Sequence, residues 1–410
     1  MSDSISGCPV VYLDTQDYSR FGDVIRGKSD AATEALFLDL ERKALAGDVV
    51  FATSMPLMGE LLQYDADFRD TTISKAEAVE RLCGPWALAF PSRLVASEMA
   101  EAAERHGLIE ARPRPRVLSN ERYWFPNLAE EMANLRSTLR QSAQATVAEL
   151  ALPTRVLRRR AKKLANQIDL AAMAHDAAPE FAAAFGLPVD VVLNSIVALL
   201  RGRIDADAAA RCLFRAVAEP VKFVETYFEK VELDRSEMPS WMRDFGAQFE
   251  QKFIELREKL EPFMKLSFAF AELEKMLINW PESLGRAVFG MAREDLQEFG
   301  MSSAEAARLG QIDGIFNEVP ACYVVGRVLV EYTRQILGLA GTPGRVERSF
   351  GGDLVHALYL PHVDLWRGDR RFAEVVRTAV PRYGPRIVSR PGQLPERIDA
   401  WNRGRSENNP

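Results

Sequence analysis

The sequence predicts an α/β fold in which a parallel sheet covered by helices is interrupted by a large all-α insertion. Three observations predict it. Short β-rich apolar runs alternate with helical stretches through His106, the same alternation returns after residue 344, and between them almost everything carries helical periodicity.

The first strand is Pro9–Leu13 (PVVYL), closed by Asp14. A helix follows over Asp30–Ala46, with Leu36, Leu38, Leu40 and Leu45 set among charges, and Gly47-Asp48 stops it. Val49–Ala52 (VVFA) reads as a second buried strand, and Thr53 and Ser54 as helix-start residues. The next helix carries Leu57, Glu60, Leu61 and Leu62. Further helices are expected over Lys75–Cys83 and Ser92–His106, with a third strand at Ala87–Phe90 between them.

From Pro126 to about Leu339 the chain reads as helices punctuated by Pro239, Pro262 and Pro281. The clearest is Phe245–Phe263, where Phe245, Phe249, Phe253, Leu256, Leu260 and Phe263 recur at steps of three and four. No self-similarity of solenoid period is present. Beyond a Gly/Arg/Ser-rich loop at Gly341–Gly352 the expected elements are a short helix Asp353–Leu360, a strand Val363–Arg367, a helix Phe372–Ala379 and a strand Arg386–Ser389. The polar tail after Pro395 is expected to fray. A single α/β domain, formed by residues 1–110 and 345–410 and split by a helical insertion at 111–344, explains this order better than three separate domains.

The bulk composition is that of a soluble globular protein: 47% hydrophobic and 27% charged residues over 410, with a formal net charge of -6. Any nucleic-acid contact must therefore come from a local basic patch. Cys8, Cys83, Cys212 and Cys322 form no CxxC pair, which argues against a thiolate zinc site or a disulfide framework and for free thiols in a reducing cytoplasm. No signal-peptide pattern is present, and the longest apolar stretches are broken by charged or polar residues, so no membrane span is expected.

In an open parallel sheet, functional groups gather beyond the carboxyl ends of the strands. Four acids fit that rule. Asp14 follows the first strand, and Glu60 lies early on the helix leaving the second. Asp369 closely follows the strand Val363–Arg367, and Asp353 opens the helix before it, where a carboxylate complements the helix dipole. Carboxylates brought this close need a counter-charge, and oxygen-rich sites recruit hard cations such as Mg²⁺ or Mn²⁺. A cation so held supports phosphodiester hydrolysis.

The segments that carry these acids resemble the motifs of the PIN-like nucleases. YLDTQ (Tyr12–Gln16) looks like the family's opening motif, and SMPLMGELL (Ser54–Leu62) is similar to its second. DLVHALYLPHVDLWRGDRRF (Asp353–Phe372) is the strongest match, with Asp, a His-Ala pair three residues on, and a closing Asp before Phe. The likeness covers roughly residues 9–105 and 345–395. It implies a flavodoxin-like three-layer sandwich, Asp14, Glu60, Asp353 and Asp369 as the catalytic and metal-binding quartet, and Mg²⁺- or Mn²⁺-dependent ribonuclease activity. Gln16 stands where the family has Asn. Arg367-Gly368 stands where it has Thr, exchanging a hydroxyl for a cation that can reach substrate phosphate.

Arg370 and Arg371, beside Asp369, are the other expected phosphate contacts. Thr154–Lys163 (TRVLRRRAKK) is the main basic run; it reads first as a solvated helix face, with nucleic-acid backbone binding as the alternative. Tyr123, Trp124 and Phe125 read as core rather than as a base-stacking platform. His356, one turn from Asp353, reads as a packing residue with an acid or substrate contact as the alternative, and His106, His175 and His362 have no partner at ligand spacing. Asp364 is assigned a structural role, and Asp17 and Glu98 are reserve ligands. The expected function is a cytoplasmic metal-dependent endonuclease acting on RNA, with a DNA-directed nuclease as a weaker alternative. The rival is a non-catalytic PIN-like scaffold whose helical region binds a protein partner, nucleic acid or a second copy of the chain.

Overall fold

The structure is a computed structural model. It describes the chain apart from residues 1–6, 63–65, 114–115, 123, 126–127, 150–153, scattered positions over 155–166, 186, 231–249, 261, 263–268, 279, 294, 340–343, 348 and 409–410. It divides into two compact units, one formed by Met1–Gln63, Asp70–Trp124 and Glu237–Pro410, the other by Tyr64–Arg69 and Phe125–Ser236.

The first unit is built on a four-stranded parallel sheet. Strand β1 is Val10–Tyr12, helices α1 and α2 are Thr15–Ile25 and Ala31–Ala46, and β2 is Val50–Phe51. Helix α3 is Met55–Leu61, α4 Arg69–Cys83, β3 Ala87–Leu88, α5 Pro91–Arg105 and β4 Leu118–Ser119. The later elements are α6 (Trp280–Met291), α7 (Pro320–Ile336), α8 (Phe350–Ala357), β5 (Leu365–Arg367), α9 (Arg370–Ala379), β6 (Ile387–Val388) and α10 (Leu394–Asn408).

The strand order is β2-β1-β5-β6, with every neighbour pair parallel. Strands buried on both faces lose the polar alternation of an exposed sheet, and β1 is apolar and fully buried along its length. From β1 the chain steps to β2 on one side and returns, much later, to β5 on the other. The crevice beyond β1 and β5 is therefore the point where strand order reverses, the usual place for a ligand in an open α/β sheet. Asp364 clasps the N-terminal ends of β1 and β5, a structural role as expected: its backbone N–H donates to the Val10 carbonyl at 2.8 Å, and its carboxylate accepts from the Val10 N–H at 2.9 Å.

Several boundaries differ from the sequence reading. The third strand, β3, does not run in the parallel sheet alone. It pairs antiparallel with β4, a strand the sequence did not suggest, and joins the sheet edge through one parallel bridge between Ala87 and Thr53. Residues 237–344 do not form one separate insertion with 111–236. Helix α7 packs against α6 and α9, and its first turn is capped from the sheet unit by Glu98, which accepts from the Ala321 N–H at 2.7 Å. Tyr332 on α7 stacks on Phe350 of α8 at a centroid separation of 3.6 Å, and Phe253 meets both rings edge-on. Each buried ring contributes roughly 2–3 kcal/mol of burial, enough to hold these helices onto the sheet. Of the expected helix Phe245–Phe263, positions 250–260 are helical; Phe245, Phe249 and Phe263 lie outside the described residues.

The C-terminal tail is likewise no frayed segment. Helix α10 buries Ile398, pairs Asp399 with Lys43, and donates from Asn402 to the Asp48 carbonyl at 2.9 Å. Leu394 and Ile398, one turn apart, supply the apolar face that the polar composition obscured.

In the second unit the described elements are helical. They include Ala129–Glu149, Leu170–Asp176, Ala178–Phe185, Ala206–Val217 and Pro220–Lys230, with a π-turn at Leu193–Val197. Asp205 caps the helix Ala206–Val217 by accepting from the Ala208 N–H at 2.7 Å. Phe223, Val224 and Tyr227 are buried. In the basic run, Arg159 and Lys163 are exposed, while Arg155, Arg158, Arg160 and Lys162 lie outside the described residues, as does Tyr123. Trp124 is buried, in keeping with a core role. Among the described residues, no helix is long and apolar enough to cross a membrane.

Candidate metal centre

Asp14 ends β1, and its extended backbone makes it the N-cap of α1, where its carboxylate accepts from the Gln16 N–H at 3.4 Å. Asp369 has the same job at α9, accepting from the Arg371 and Phe372 N–H groups at 2.5 and 3.2 Å through one oxygen. The capping role of these two acids and their place beyond the strand ends coexist. Asp353 does not open its helix. Helix α8 starts at Phe350, so Asp353 stands within the first turn. Glu60 lies near the end of α3, a helix started by Ser54, whose hydroxyl accepts from the Leu57 N–H.

Two of these acids, Asp353 and Asp14, are pushed up by burial and by like charge. Burial pushes the Asp353 carboxyl well above the usual range, and the neighbouring charges of Asp14, Glu60 and Asp369 push the same way. Burial also raises the Asp14 carboxyl, with Glu60 adding to it, while His356 and Arg367 pull in the other direction. Asp14, Glu60, Asp353 and Asp369 are all only half-buried, so solvent reaches each of them.

Glu60 behaves differently because it has partners. Its carboxylate accepts from the Thr15 hydroxyl at 2.5 Å, and His356 Nε2 lies 3.2 Å from the same oxygen. Burial works against its charge, yet His356 and Thr15 hold its carboxyl below the ordinary value. The histidine is correspondingly basic: burial opposes its charge, but Glu60, then Asp14 and Asp353, raise its pKa to about 9. His356 thus makes the acid contact that the sequence reading gave as its alternative to packing. As an imidazolium it donates through Nδ1 to the Tyr12 hydroxyl at 2.6 Å, and Tyr12 donates onward to Ser54 Oγ, also at 2.6 Å. Tyr12 is fully buried and its pKa lies well above 10, so the phenol stays neutral.

Asp17 and Arg367 form a second, buried pair. Arg367 Nη2 lies 3.2 Å from Asp17 Oδ1, with side-chain exposures of 3% and 0%. Burial raises the Asp17 carboxyl to about 7 despite the guanidinium. This placement corrects the expectation that Arg367 reaches substrate phosphate. The next residue, Gly368, is required by the same turn, since a Cβ there would meet the Trp366 ring, with Cζ3 at 2.9 Å. Arg370 and Arg371 are exposed, with Arg371 paired to Glu347. The reserve acid Glu98 is buried, bonds His362 at 2.5 Å and caps α7, so it serves structure. His106 lies 3.0 Å from Glu318.

The donor set, half-buried carboxylate oxygens with mutual repulsion left over, suits a hard divalent cation. Among the described residues no three such side chains are already gathered at ligating geometry. Glu60 is turned toward His356 and Thr15.

The sequence reading missed Tyr12, Thr15 and Ser54 as parts of this network, gave the acid contact of His356 as its alternative, and gave Arg367 a different role. Tyr12 stands two positions before Asp14 on the strand and His356 one helical turn after Asp353. Both spacings were visible; that the two side chains meet across the sheet was not.

No family model matches the chain, and no curated protein or solved structure is similar enough to it to count as a match.

Proposed function

We propose that this chain is a PIN-like, Mg²⁺- or Mn²⁺-dependent endoribonuclease that hydrolyses phosphodiester bonds beyond the carboxyl end of its sheet. The observation that carries the reading is the convergence at the topological switch point, where Asp14 ends β1, Asp369 follows β5, and His356, one helical turn from Asp353, lies 3.2 Å from Glu60. A flavodoxin-like arrangement with the quartet as ligands follows from the resemblance of the three motifs and fits the parallel order β2-β1-β5-β6. Four free cysteines fit a reducing, cytoplasmic setting.

In this reading Asp14, Glu60, Asp353 and Asp369 would hold the cation. A divalent cation there would supply positive charge to a phosphoryl oxygen and activate water. The remaining work belongs to the chain. Ser54, Tyr12 and His356 fix the orientation of Glu60, and Thr15 holds its other approach. Asp369 stays tied to the start of α9 by two backbone N–H bonds. Arg370 and Arg371, exposed at that helix start, hold the RNA backbone, and RNA is preferred to DNA on the strength of the motif resemblance.

One observation favours a second reading, a non-catalytic PIN-like scaffold that binds protein or nucleic acid, or pairs with itself, through its helical region. Glu60 is already satisfied by His356 and Thr15, so the cluster can stand without a metal. The two readings separate on incubation of purified protein with structured and unstructured RNA and with single-stranded DNA. Mn²⁺ and EDTA arms run beside Asp14→Asn and Asp353→Asn. The nuclease reading expects Mn²⁺-dependent cleavage lost in both variants. Cleavage that survives both would sink the metal site, and no cleavage of any substrate would favour the scaffold.

A further inference from the structure

Away from the acidic centre, arginine and tyrosine alternate in a patch at the amino end of the sheet. Tyr323 lies in the first turn of α7, and Tyr383 in the helical turn Pro381–Arg386 that leads into β6. The two rings meet edge-on at a centroid separation of 6.4 Å. Arg382 Cζ stands 3.5 Å from the centre of the Tyr323 ring and 4.8 Å from that of Tyr383. Arg327, one turn along α7, lies 5.7 Å from Tyr323, and Arg386 lies 5.4 Å from Tyr383. Arg386 is anchored by donating to the Pro361 and Val363 carbonyls at 2.8 and 3.2 Å. Those carbonyls precede β5, whereas Asp14 and Asp369 follow their strands, so the patch and the acidic centre lie at opposite ends of the sheet.

Two features separate this patch from an ordinary charged surface. Several exposed arginines elsewhere in the same unit have a carboxylate beside them: Arg308 has Glu305, Arg371 has Glu347 and Arg42 has Asp39. Among the described residues, Arg327, Arg382 and Arg386 have no carboxylate within ion-pair distance. Glu98, whose charge reaches Tyr383, is buried and committed to His362 and the Ala321 N–H. The second feature is geometric. A Cζ atom 3.5 Å from a ring centre can only lie over the face of that ring, so Arg382, itself exposed, is a guanidinium already laid on Tyr323. Bases stack on guanidinium planes as on aromatic rings, and the phosphates between them need cations. A duplex hides its base faces and a single strand offers them. We propose that this patch binds single-stranded nucleic acid, with a base stacked on Arg382 and the adjacent phosphates held by Arg327 and Arg386. The contact is separate from the cleavage crevice and does not depend on the chain being a nuclease.

The test is fluorescence anisotropy of a labelled single strand of about 12 nucleotides, within the usual range of site sizes, titrated with the full chain. EDTA is present throughout, so that no metal-dependent cleavage intervenes. The strand is supplied as RNA and as DNA, and binding of either supports the proposal. A duplex of the same length is expected to bind about tenfold more weakly, its bases being stacked on one another. Arg327→Gln removes one phosphate contact and is expected to make the slope of log Kd against log salt shallower by about 0.7. Arg382→Lys keeps the charge and loses the plane; it is expected to weaken binding about tenfold with the slope unchanged. Arg42→Gln with Arg308→Gln removes two exposed charges elsewhere and is expected to leave affinity within about twofold, since distant charges are screened. Circular dichroism checks that each variant is folded. Wild type that binds no single strand would overturn the proposal. So would equal affinity for the duplex or for a Glu-rich peptide of matching charge, or binding that survives both Arg327→Gln and Arg382→Lys unchanged.

Discussion

Arg367 and Asp17 meet at 3.2 Å in the interior, and neither side chain has more than 3% of its surface exposed. A pair withdrawn from water in this way gains little net stability from its attraction, because desolvating both ions costs about as much. Removing one partner is another matter. Asp17→Asn leaves a buried guanidinium without a counter-charge and is expected to destabilise the fold by about 3–5 kcal/mol. Combining it with Arg367→Met should return most of that loss. Urea denaturation of the two single variants and the double variant measures the coupling; additive losses would mean that the two side chains do not act as a pair.

The His356 imidazolium should persist well into alkaline solution. Its folded pKa of about 9 lies above the ordinary histidine value of about 6.5. The stability this contributes is therefore fully present below pH ~6.5 and is lost as pH rises through 9. Asp17 acts in the same sense by a different route. Its carboxyl is raised to about 7, so the native chain keeps a proton that the unfolded chain has released, and stability falls as pH climbs from about 4 to 7. Proton NMR titration of the His356 ring in metal-free protein checks the first point, and Glu60→Gln should bring its midpoint down. A midpoint near 6.5 in wild type would contradict the ion pair.

The repulsion around Asp353 has a cost that a neutral side chain removes. Asp353→Asn is expected to stabilise the metal-free protein by about 1 kcal/mol, the usual size of gain when a strained functional residue is relaxed. The same substitution should abolish the rise in melting temperature that the proposed site is expected to give wild type with Mn²⁺. Thermal melts with Mn²⁺ and with EDTA read both effects. An asparagine variant that is less stable without metal would point to a structural acid.

Much of this was legible in the sequence, and the omissions have physical causes. The strands beyond Pro9 and Val49 announced themselves as unbroken apolar runs, because a parallel strand is buried on both faces. Asp14, Glu60, Asp353 and Asp369 were singled out because strand ends are where such sheets carry function. The edge pairing of β3 with β4 was hidden by shortness, since two-residue strands have no periodicity to read. Helix α10 was hidden by composition, its apolar face being only a few residues wide. The domain division could not be drawn because α7 is amphipathic in the same way whether its partner is another helix or the sheet unit. The greatest gap lay in the polar network. Local spacing shows that His356 is near Asp353, but only the parallel pairing of β1 with β2 and with β5 brings Tyr12, Ser54 and Glu60 to that histidine.

That four sequence-distant acids surround one cation is tested most directly by letting the cation mark its own surroundings. Fe²⁺ substituted into the centre, with ascorbate and peroxide, cuts the backbone within reach of the radicals it generates, and mass spectrometry maps the cuts. The expected result is cleavage clustered around Asp14, Glu60, Asp353 and Asp369, suppressed by excess Mg²⁺. Cuts confined to one of these segments, or scattered without regard to Mg²⁺, would contradict a shared centre.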